Sequence, residues 1–263
     1  YYKEVAEGVI NDTLLACRKE IWNAVHGYSM KLICLSPAEF IHFGTTRELL
    51  QLVTKNVEDY SFLSWSKKVM TTGAEENTNF AAHNAYIGHA ARIEKDCYIE
   101  NSYILDNSVV HSGAIVSNLH LRNVEVPGNT VWHGMTLKDG TVLVRVYGVL
   151  DNPKGRLHAD AGYLGTTLQV FIEKNKLVPS DLWHDEEDYL WFANLYPVCR
   201  NKEEAVEFAV ILSKMAAGDA TEAEINRWKQ SKRESLCSSF NKADVQHDCL
   251  FERELESRIL ANK

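Results

Sequence analysis

The sequence lacks the features that define several large classes of protein. Among its 263 residues, no apolar run approaches the roughly 18 residues that a membrane span needs. Its six cysteines form no C-x-x-C pair, so neither a zinc site nor a redox dithiol is expected. Neither G-x-x-x-x-G-K-[ST] nor G-x-G-x-x-G occurs, which leaves the chain without a complete phosphate-binding loop of either kind.

The charge balance, the cysteines and the first residues each limit which class of protein the chain can belong to. With 28 Lys and Arg against 36 Asp and Glu, the formal charge is −8, and we expect no nucleic-acid partner. Six thiols without a secretory segment predict a cytoplasmic protein. The chain begins at Tyr1, and residues 1–8 resemble the middle of a helix. We therefore expect a piece of a longer protein.

A regular spacing of branched aliphatic residues dominates residues 57–150. They recur every five or six residues, whereas a helix would place them three and four apart and a simple strand two apart. The pattern predicts a short left-handed parallel β-helix with hexapeptide-like repeats and about three coils. A plain antiparallel β-domain is the alternative. The aliphatic positions are Ile87, Ile93, Ile99, Ile104, Val109, Ile115, Leu121, Val126 and Val131.

Small and polar residues between these positions are suited to the corners of such a prism. An open solenoid must also be covered at both ends. The predicted corner residues are Asn101, Asp106, Asn107, Ser112, Gly113, Asn118 and Asn123.

The flanking segments predict different structures. Residues 32–35 form an apolar run before Pro37 and are interpreted as a buried strand, and residues 46–53 as a helix capped by Thr46. Residues 151–263 are predicted to be helical. The pairs Asn201 with Glu204 and Thr221 with Glu224 mark two helix starts, and Phe251, Leu255 and Ile259 form one apolar stripe.

Two groups of residues could carry chemistry but have simple structural explanations. His89, His111, His120 and His133 lie in the repeat region, where a histidine could act as the general base of an acyltransferase. Surface or turn positions explain them equally well. The acidic run at 185–188 is interpreted as a solvated helix start rather than a catalytic carboxylate pair.

A more specific pattern occurs in residues 39–49, EFIHFGTTREL. It resembles the W-x-D-x-G-T-x-x-x-L pattern that ends the catalytic domain of sugar-1-phosphate nucleotidyltransferases. Phe40 stands for Trp and His42 for Asp, while Gly44, Thr45 and Leu49 match. In that family the Asp helps to hold a metal, and a neutral imidazole is a poor ligand for Mg²⁺.

Taken together, the chain resembles the C-terminal region of the L-fucose-1-phosphate guanylyltransferase (GDP-L-fucose pyrophosphorylase) family, which includes bifunctional fucokinase/guanylyltransferases. The matching residues follow the family order over nearly the whole chain. They are 39–45 with Glu48 and Leu49, 99–102, 126–128, 147–149 with Asp151 and Asn152, 192–198, Trp228, Lys229, Arg233, Ser235, Asp244 and Arg253.

This resemblance implies the synthesis of GDP-L-fucose and pyrophosphate from GTP and L-fucose 1-phosphate, with Mg²⁺. The GTP-binding catalytic domain would lie upstream, and a kinase domain accompanies it in bifunctional members. The implied fold is α+β: residues 1–56 as the Rossmann-like remnant of the nucleotidyltransferase domain, 57–150 as the β-helix and 151–263 as a helical domain. Because the sequence has no apolar run long enough for a membrane span, no membrane partner is expected.

Glu39, His42, Gly44 and Thr45 are the candidate substrate-binding residues. A glycine at a strand end lets backbone N–H groups approach an anion, and the following helix favours negative charge. Lys154 and Arg156 are candidate phosphate contacts or simply parts of a solvated turn. Two other functions remain open: a hexapeptide-repeat acyltransferase, and a non-catalytic module that assembles through the β-helix edge.

Overall fold

The computed structural model describes residues 12–34, 36, 40–73, 79–159, 161–184 and 187–261. Its contacts divide the chain into two compact units, Tyr1–Ile41 and His42–Lys263. In the first unit, helix α1 spans Asp12–Val25 and carries no buried residue. The prediction for residues 1–8 lies outside the described residues.

The predicted strand at 32–35 is wrong over the residues that are described. Residues 32–34 are irregular, and Leu32 and Ile33 are 97% and 81% exposed. A strand needs a hydrogen-bonded neighbour, and the described part of the chain supplies none here. A Rossmann-like remnant is therefore not confirmed. Leu35 and Pro37 lie outside the described residues.

The second unit combines a β-solenoid with helices that follow it. Helix α2 (Thr46–Gln51) runs on through a π-helical turn (Leu52–Asn56) and a 3₁₀ turn (Val57–Leu63). The strands are β1 Lys68–Thr72, β2 Ala81–Ile87, β3 Arg92–Ile93, β4 Tyr98–Ile104, β5 Val109–Val110, β6 Ile115–Ser117, β7 His120–Leu121, β8 Glu125–Val126, β9 Thr130–Thr136, β10 Val142–Gly148, β11 Gly162–Tyr163, β12 Thr166–Thr167, β13 Tyr196–Pro197 and β14 Arg233–Glu234. The later helices are α3 Leu168–Lys174, α4 Lys202–Ala217, α5 Glu222–Gln230, α6 Leu236–Lys242 and α7 Val245–Ala261.

The solenoid makes about four turns. Strands β1, β2, β4, β6 and β9 stack in parallel in one sheet, and β3, β5 and β8 form a second parallel sheet. At the end of the stack β10 pairs antiparallel with β9, and α4 packs against β10. This arrangement covers the last coil, as an open solenoid requires.

The stacked coils differ from a strict six-residue repeat. Paired residues lie 17, 17 and 16 positions apart in the column Ala82, Ile99, Val116 and Trp132. The columns Ile87–Ile104–Leu121 and Ile93–Val110–Val126 show the same spacing. The hexapeptide repeat is therefore not confirmed.

Three of the aliphatic positions predicted to face the interior do not. Val110, Val116 and Trp132 are buried inside, so their neighbours Val109, Ile115 and Val131 point outward. Side chains alternate between faces along a strand, so an offset of one residue reverses the side chain.

Ile115 and Val131 are nevertheless buried, on the outer face of the sheet. They form a small apolar cluster with Leu50 of α2 and Val149, which directly follows β10. Here this group is called the outer cluster. It attaches α2 to the side of the last coils.

Asparagines form the corners of the coils, as the sequence predicts. Asn84, Asn101 and Asn118 occupy equivalent positions with φ of 48°, 44° and 55°, in the left-handed region that asparagine tolerates. The Asn84 side-chain amide donates to Asn101 Oδ1 at 2.9 Å. Other predicted corners with positive φ are Asn107, Gly113 and Asn123.

The helical prediction for the last third is confirmed where its signals were strongest. Asn201 caps α4 by accepting from the Glu204 N–H at 2.9 Å, and Thr221 forms a capping box with Glu224 on α5. On α7, Leu255 and Ile259 are fully buried.

A histidine–arginine pair lies on the outer face of the last two strands. His133 of β9 stands opposite Arg145 of β10. The buried guanidinium donates to Ser239 Oγ at 2.9 Å and to the Leu236 carbonyl at 3.1 Å. Burial, and secondly the Arg145 charge, lower the pKa of His133 to about 4. The imidazole is therefore neutral at physiological pH.

The register of the solenoid can be tested at two adjacent valines. We expect Val110→Ala to reduce the free energy of unfolding by about 2 kcal/mol, since Val110 is fully buried. Val109→Ala is the matched control and should cost less than about 1 kcal/mol, because Val109 faces outward. Urea unfolding measures both, and a larger loss at Val109 would contradict the register.

The His133–Arg145 pair predicts acid sensitivity. In the folded protein the pKa of His133 lies below the value near 6.5 that it has in the unfolded chain. The contribution of the neutral imidazole to stability is therefore fully present above pH 6.5. As the pH falls from 6.5 towards 4, the unfolded state binds the proton first, and at most about 3 kcal/mol is lost. His133→Asn should remove this part of the curve of unfolding free energy against pH. His89→Asn, at an exposed position, is the control, and parallel curves for wild type and His133→Asn would refute the prediction.

Candidate functional site

Two distant segments of the second unit enclose a cavity of about 500 Å³. One segment is residues 44–47, at the start of α2, and the other is residues 149–154, after β10. Gly44 and Thr45, predicted from the sequence, therefore meet Lys154 in one place. The complete lining is Gly44, Thr45, Thr46, Arg47, Val149, Leu150, Asp151, Asn152, Pro153 and Lys154.

Thr45 determines where α2 begins. Its backbone is extended, and its hydroxyl oxygen accepts from the Glu48 N–H at 3.2 Å. The predicted cap at Thr46 is thus displaced by one residue, because Thr45 has the extended conformation that an N-cap needs. This cap places the Gly44 backbone and the Arg47 side chain beside the cavity.

His42 takes part in a network next to the cavity and does not line it. Its Nδ1 lies 3.4 Å from Glu48 Oε1, and the Thr45 hydroxyl donates to Glu48 Oε2 at 3.2 Å. Partial desolvation of the Glu48 carboxylate acts to raise its pKa. Hydrogen bonds with Thr45 and His42 outweigh desolvation, so the pKa of Glu48 is lowered.

The imidazole also lies over Gly44, where a Cβ would come within 2.3 Å of His42 Cε1. A side chain at this position would require the exposed imidazole to move away. Glu39, the remaining predicted site residue, lies outside the described residues.

Hydrogen bonds stabilise the second segment. Asp151 Oδ2 accepts from the Gly148 N–H at 2.6 Å and from the Leu164 N–H at 3.0 Å. Asn152 Oδ1 accepts from the Lys154 N–H at 3.0 Å. Burial raises the pKa of Asp151, although the two backbone N–H groups act in the opposite direction.

The charged groups of the cavity suit an anion that carries hydroxyl groups. Arg47 and Lys154 come from different segments, and neither forms an ion pair with any residue that the structure describes. A guanidinium can grip a phosphate with two parallel hydrogen bonds, and an ammonium adds a point charge. Asp151 and Asn152 supply oxygen atoms that can accept from hydroxyls.

The donor set does not fit a resident divalent cation. Over the described residues, no group of three or more His, Cys, Asp or Glu side chains could hold a metal. Asp151 is the one carboxylate that lines the cavity. Two cationic residues, Arg47 and Lys154, line the same cavity. Mg²⁺ prefers several oxygen ligands and water, so this cavity is not suited to hold it.

The other candidate residues have partners of their own. Arg156 forms an ion pair with Glu187, and its guanidinium lies 4.2 Å from the ring centre of Tyr189, so it does not line the cavity. Within the acidic run, Asp188 lies 3.6 Å from His158 Nε2, while residues 185 and 186 lie outside the described part.

The histidines of the solenoid also have structural roles. His111 bridges two carboxylates, with Nε2 2.6 Å from Glu125 Oε1 and Nδ1 3.2 Å from Glu94 Oε1. Hydrogen bonding to Glu125 and, less strongly, to Glu94 raises the pKa of His111. Such an imidazole favours the cation, whereas a general base must be neutral. The His120 ring packs at a tilt against the Tyr103 ring, with the ring centres 5.2 Å apart, and His89 is exposed.

Sequence reasoning missed Arg47, although it lies two residues after Thr45. A single arginine near a helix start is too common to attract attention without the opposite wall of the cavity.

The described residues also contain no helix with the length and apolar character needed to cross a membrane.

Comparison with known proteins identifies the family of the chain. The family model described as "Fucose pyrophosphorylase domain" matches residues 1–201. The chain is also 26% identical, over 234 residues, to a bifunctional fucokinase/GDP-fucose pyrophosphorylase of Arabidopsis thaliana. That alignment covers 81% of this chain and 22% of the relative, so the chain spans about a fifth of the relative's length. Since the family model covers well over half of the sequence, the chain belongs to the fucose pyrophosphorylase domain family.

Proposed function

We propose that the cavity between residues 44–47 and 149–154 binds a sugar 1-phosphate. In this proposal the chain contributes the sugar side of a nucleotidyltransferase that makes GDP-L-fucose and pyrophosphate from GTP and L-fucose 1-phosphate. The observation that carries the proposal is the convergence of Arg47 and Lys154, which have no ion-pair partner among the described residues. Membership of the family supports the substrate class.

The lining residues divide naturally between the two ends of such a ligand. Arg47 and Lys154 would neutralise and hydrogen-bond the phosphate. Asp151 and Asn152 would accept hydrogen bonds from the sugar hydroxyls nearest the phosphate. A phosphate held in this way is oriented towards a second substrate, and orientation alone can lower a bimolecular barrier substantially.

His42 acts indirectly in this proposal. It fixes Glu48, and Glu48 in turn contacts the Thr45 hydroxyl. Loss of the imidazole would therefore loosen the start of α2 rather than remove a ligand contact. Any role of Glu39 stays a prediction.

Several finer features remain predictions from the sequence. They are the left-handed coil, the Rossmann-like remnant, the boundaries at residues 56 and 150, and the cytoplasmic location. GTP would bind to an upstream catalytic domain, Mg²⁺ would act with that domain, and a kinase domain is expected in bifunctional members.

Neutralising the two cations should weaken binding of L-fucose 1-phosphate. We expect Arg47→Met and Lys154→Met each to raise the dissociation constant roughly 10- to 100-fold, because each removes a charge-assisted hydrogen bond worth about 1.5–3 kcal/mol. Isothermal titration calorimetry on the whole chain measures the effect.

Lys95→Met is the control for that experiment, since it removes an exposed lysine of the solenoid that does not line the cavity. Unchanged affinity in both Arg47→Met and Lys154→Met, with Lys95→Met behaving like the wild type, would refute the proposed cavity.

A further inference from the structure

An aromatic recess adjoins the proposed sugar-phosphate cavity. It has a volume of about 550 Å³ and is lined by Pro153, Lys154, Tyr189, Trp191 and Phe192. Pro153 and Lys154 also line the cavity described above. The two spaces therefore share one turn, formed by Pro153 and Lys154.

Backbone hydrogen bonds hold the aromatic wall against this turn. The Trp191 N–H donates to the Pro153 carbonyl at 2.9 Å, and the Leu190 N–H donates to the Gly155 carbonyl at 2.9 Å. The Trp183 indole donates to the Tyr189 carbonyl at 3.0 Å. The recess is thus built on a fixed frame.

Two of the three rings, those of Tyr189 and Phe192, have contacts that hold them in place. The Arg156 guanidinium lies over the Tyr189 ring and pairs with Glu187. The ring of Phe192 meets that of Tyr189 nearly edge-on, with the ring centres 6.3 Å apart. Aromatic side chains fixed in this way can offer a ligand an apolar surface at little conformational cost.

The size and polarity of the recess point to a small ring-shaped ligand. Small-molecule sites commonly measure about 300–1,000 Å³ and combine apolar walls with a few placed polar groups. A specific protein partner needs about 1,000 Å² of interface, and five residues around a recess do not provide that area. Lys154 is the one charged side chain that lines it.

We propose that this recess holds the pyranose ring of the sugar 1-phosphate, with the apolar C–H face of the ring against Trp191. The inference rests on the proposed function, because Lys154 is taken to bind the phosphate. In a sugar 1-phosphate a single oxygen joins phosphate and ring, which matches two spaces that share one lysine. In a nucleotide, the ribose separates base and phosphate, so a base fits two adjoining spaces less well.

The test combines variants with a measurement on the wild-type chain. Trp191→Leu should weaken α-L-fucose 1-phosphate binding roughly tenfold and leave inorganic phosphate binding unchanged. Trp65→Leu is the matched control, since Trp65 is 42% exposed and lies outside both spaces. Saturation-transfer difference NMR on the wild type, with methyl α-L-fucopyranoside as the probe, should show transfer from aromatic protons to ring protons. Retained phosphate binding shows that Trp191→Leu is folded.

The outcomes separate this inference from the proposed function. If Trp191→Leu leaves sugar-phosphate affinity unchanged and the fucoside receives no saturation, the recess proposal is wrong and the phosphate cavity stands. If the fucoside binds through Trp191 but Arg47→Met and Lys154→Met have no effect, the cavity is wrong and the recess stands. Guanosine binding that is lost in Trp191→Leu would assign the recess to a base instead, and no binding of any probe would overturn both proposals.

Discussion

The outer cluster of Leu50, Ile115, Val131 and Val149 holds the candidate site together. Leu50 lies one helical turn after Arg47, and Val149 begins the segment that carries Asp151 and Lys154. The sequence separates these two segments by about a hundred residues. Because both pack their apolar residues on the same two strands, their polar residues meet at one cavity. Burial of these four aliphatic side chains, at roughly 1.5–3 kcal/mol each, stabilises the contact between the two segments.

The polar parts of the site depend on that apolar contact. The Thr45 cap determines where α2 begins, and the hydrogen bonds of Asp151 determine the course of the loop after β10. Each device shapes only its own segment. The outer cluster brings them together, and the frame of backbone hydrogen bonds from Leu190 and Trp191 then adds the aromatic recess to the same turn.

Much of this fold could be predicted because its signals are local. The left-handed backbone at each corner favours asparagine, and the capping boxes of the C-terminal helices depend on residues three positions apart. The sequence predicts less well which face of the sheet carries the side chains of Val109, Ile115 and Val131. The coils contain 16 or 17 residues, and a difference of one residue reverses which side chains face the interior. In the sequence, an aliphatic residue that α2 buries on the outer face also looks the same as one buried inside the solenoid. The meeting of Arg47 with Lys154 is a long-range contact with no local signal at all.

The position of the outer cluster also limits how the solenoid can change length. Leu50 contacts residues of β6 and β9, the last two parallel strands of the stack. A coil added near β1 would lengthen the far end and leave this contact intact. A coil added between β6 and β9 would move Val149 about 4.8 Å farther from Leu50, one strand spacing, and would pull Lys154 away from Arg47. The outer cluster therefore excludes an added coil between β6 and β9, whereas it sets no such limit at the β1 end of the stack.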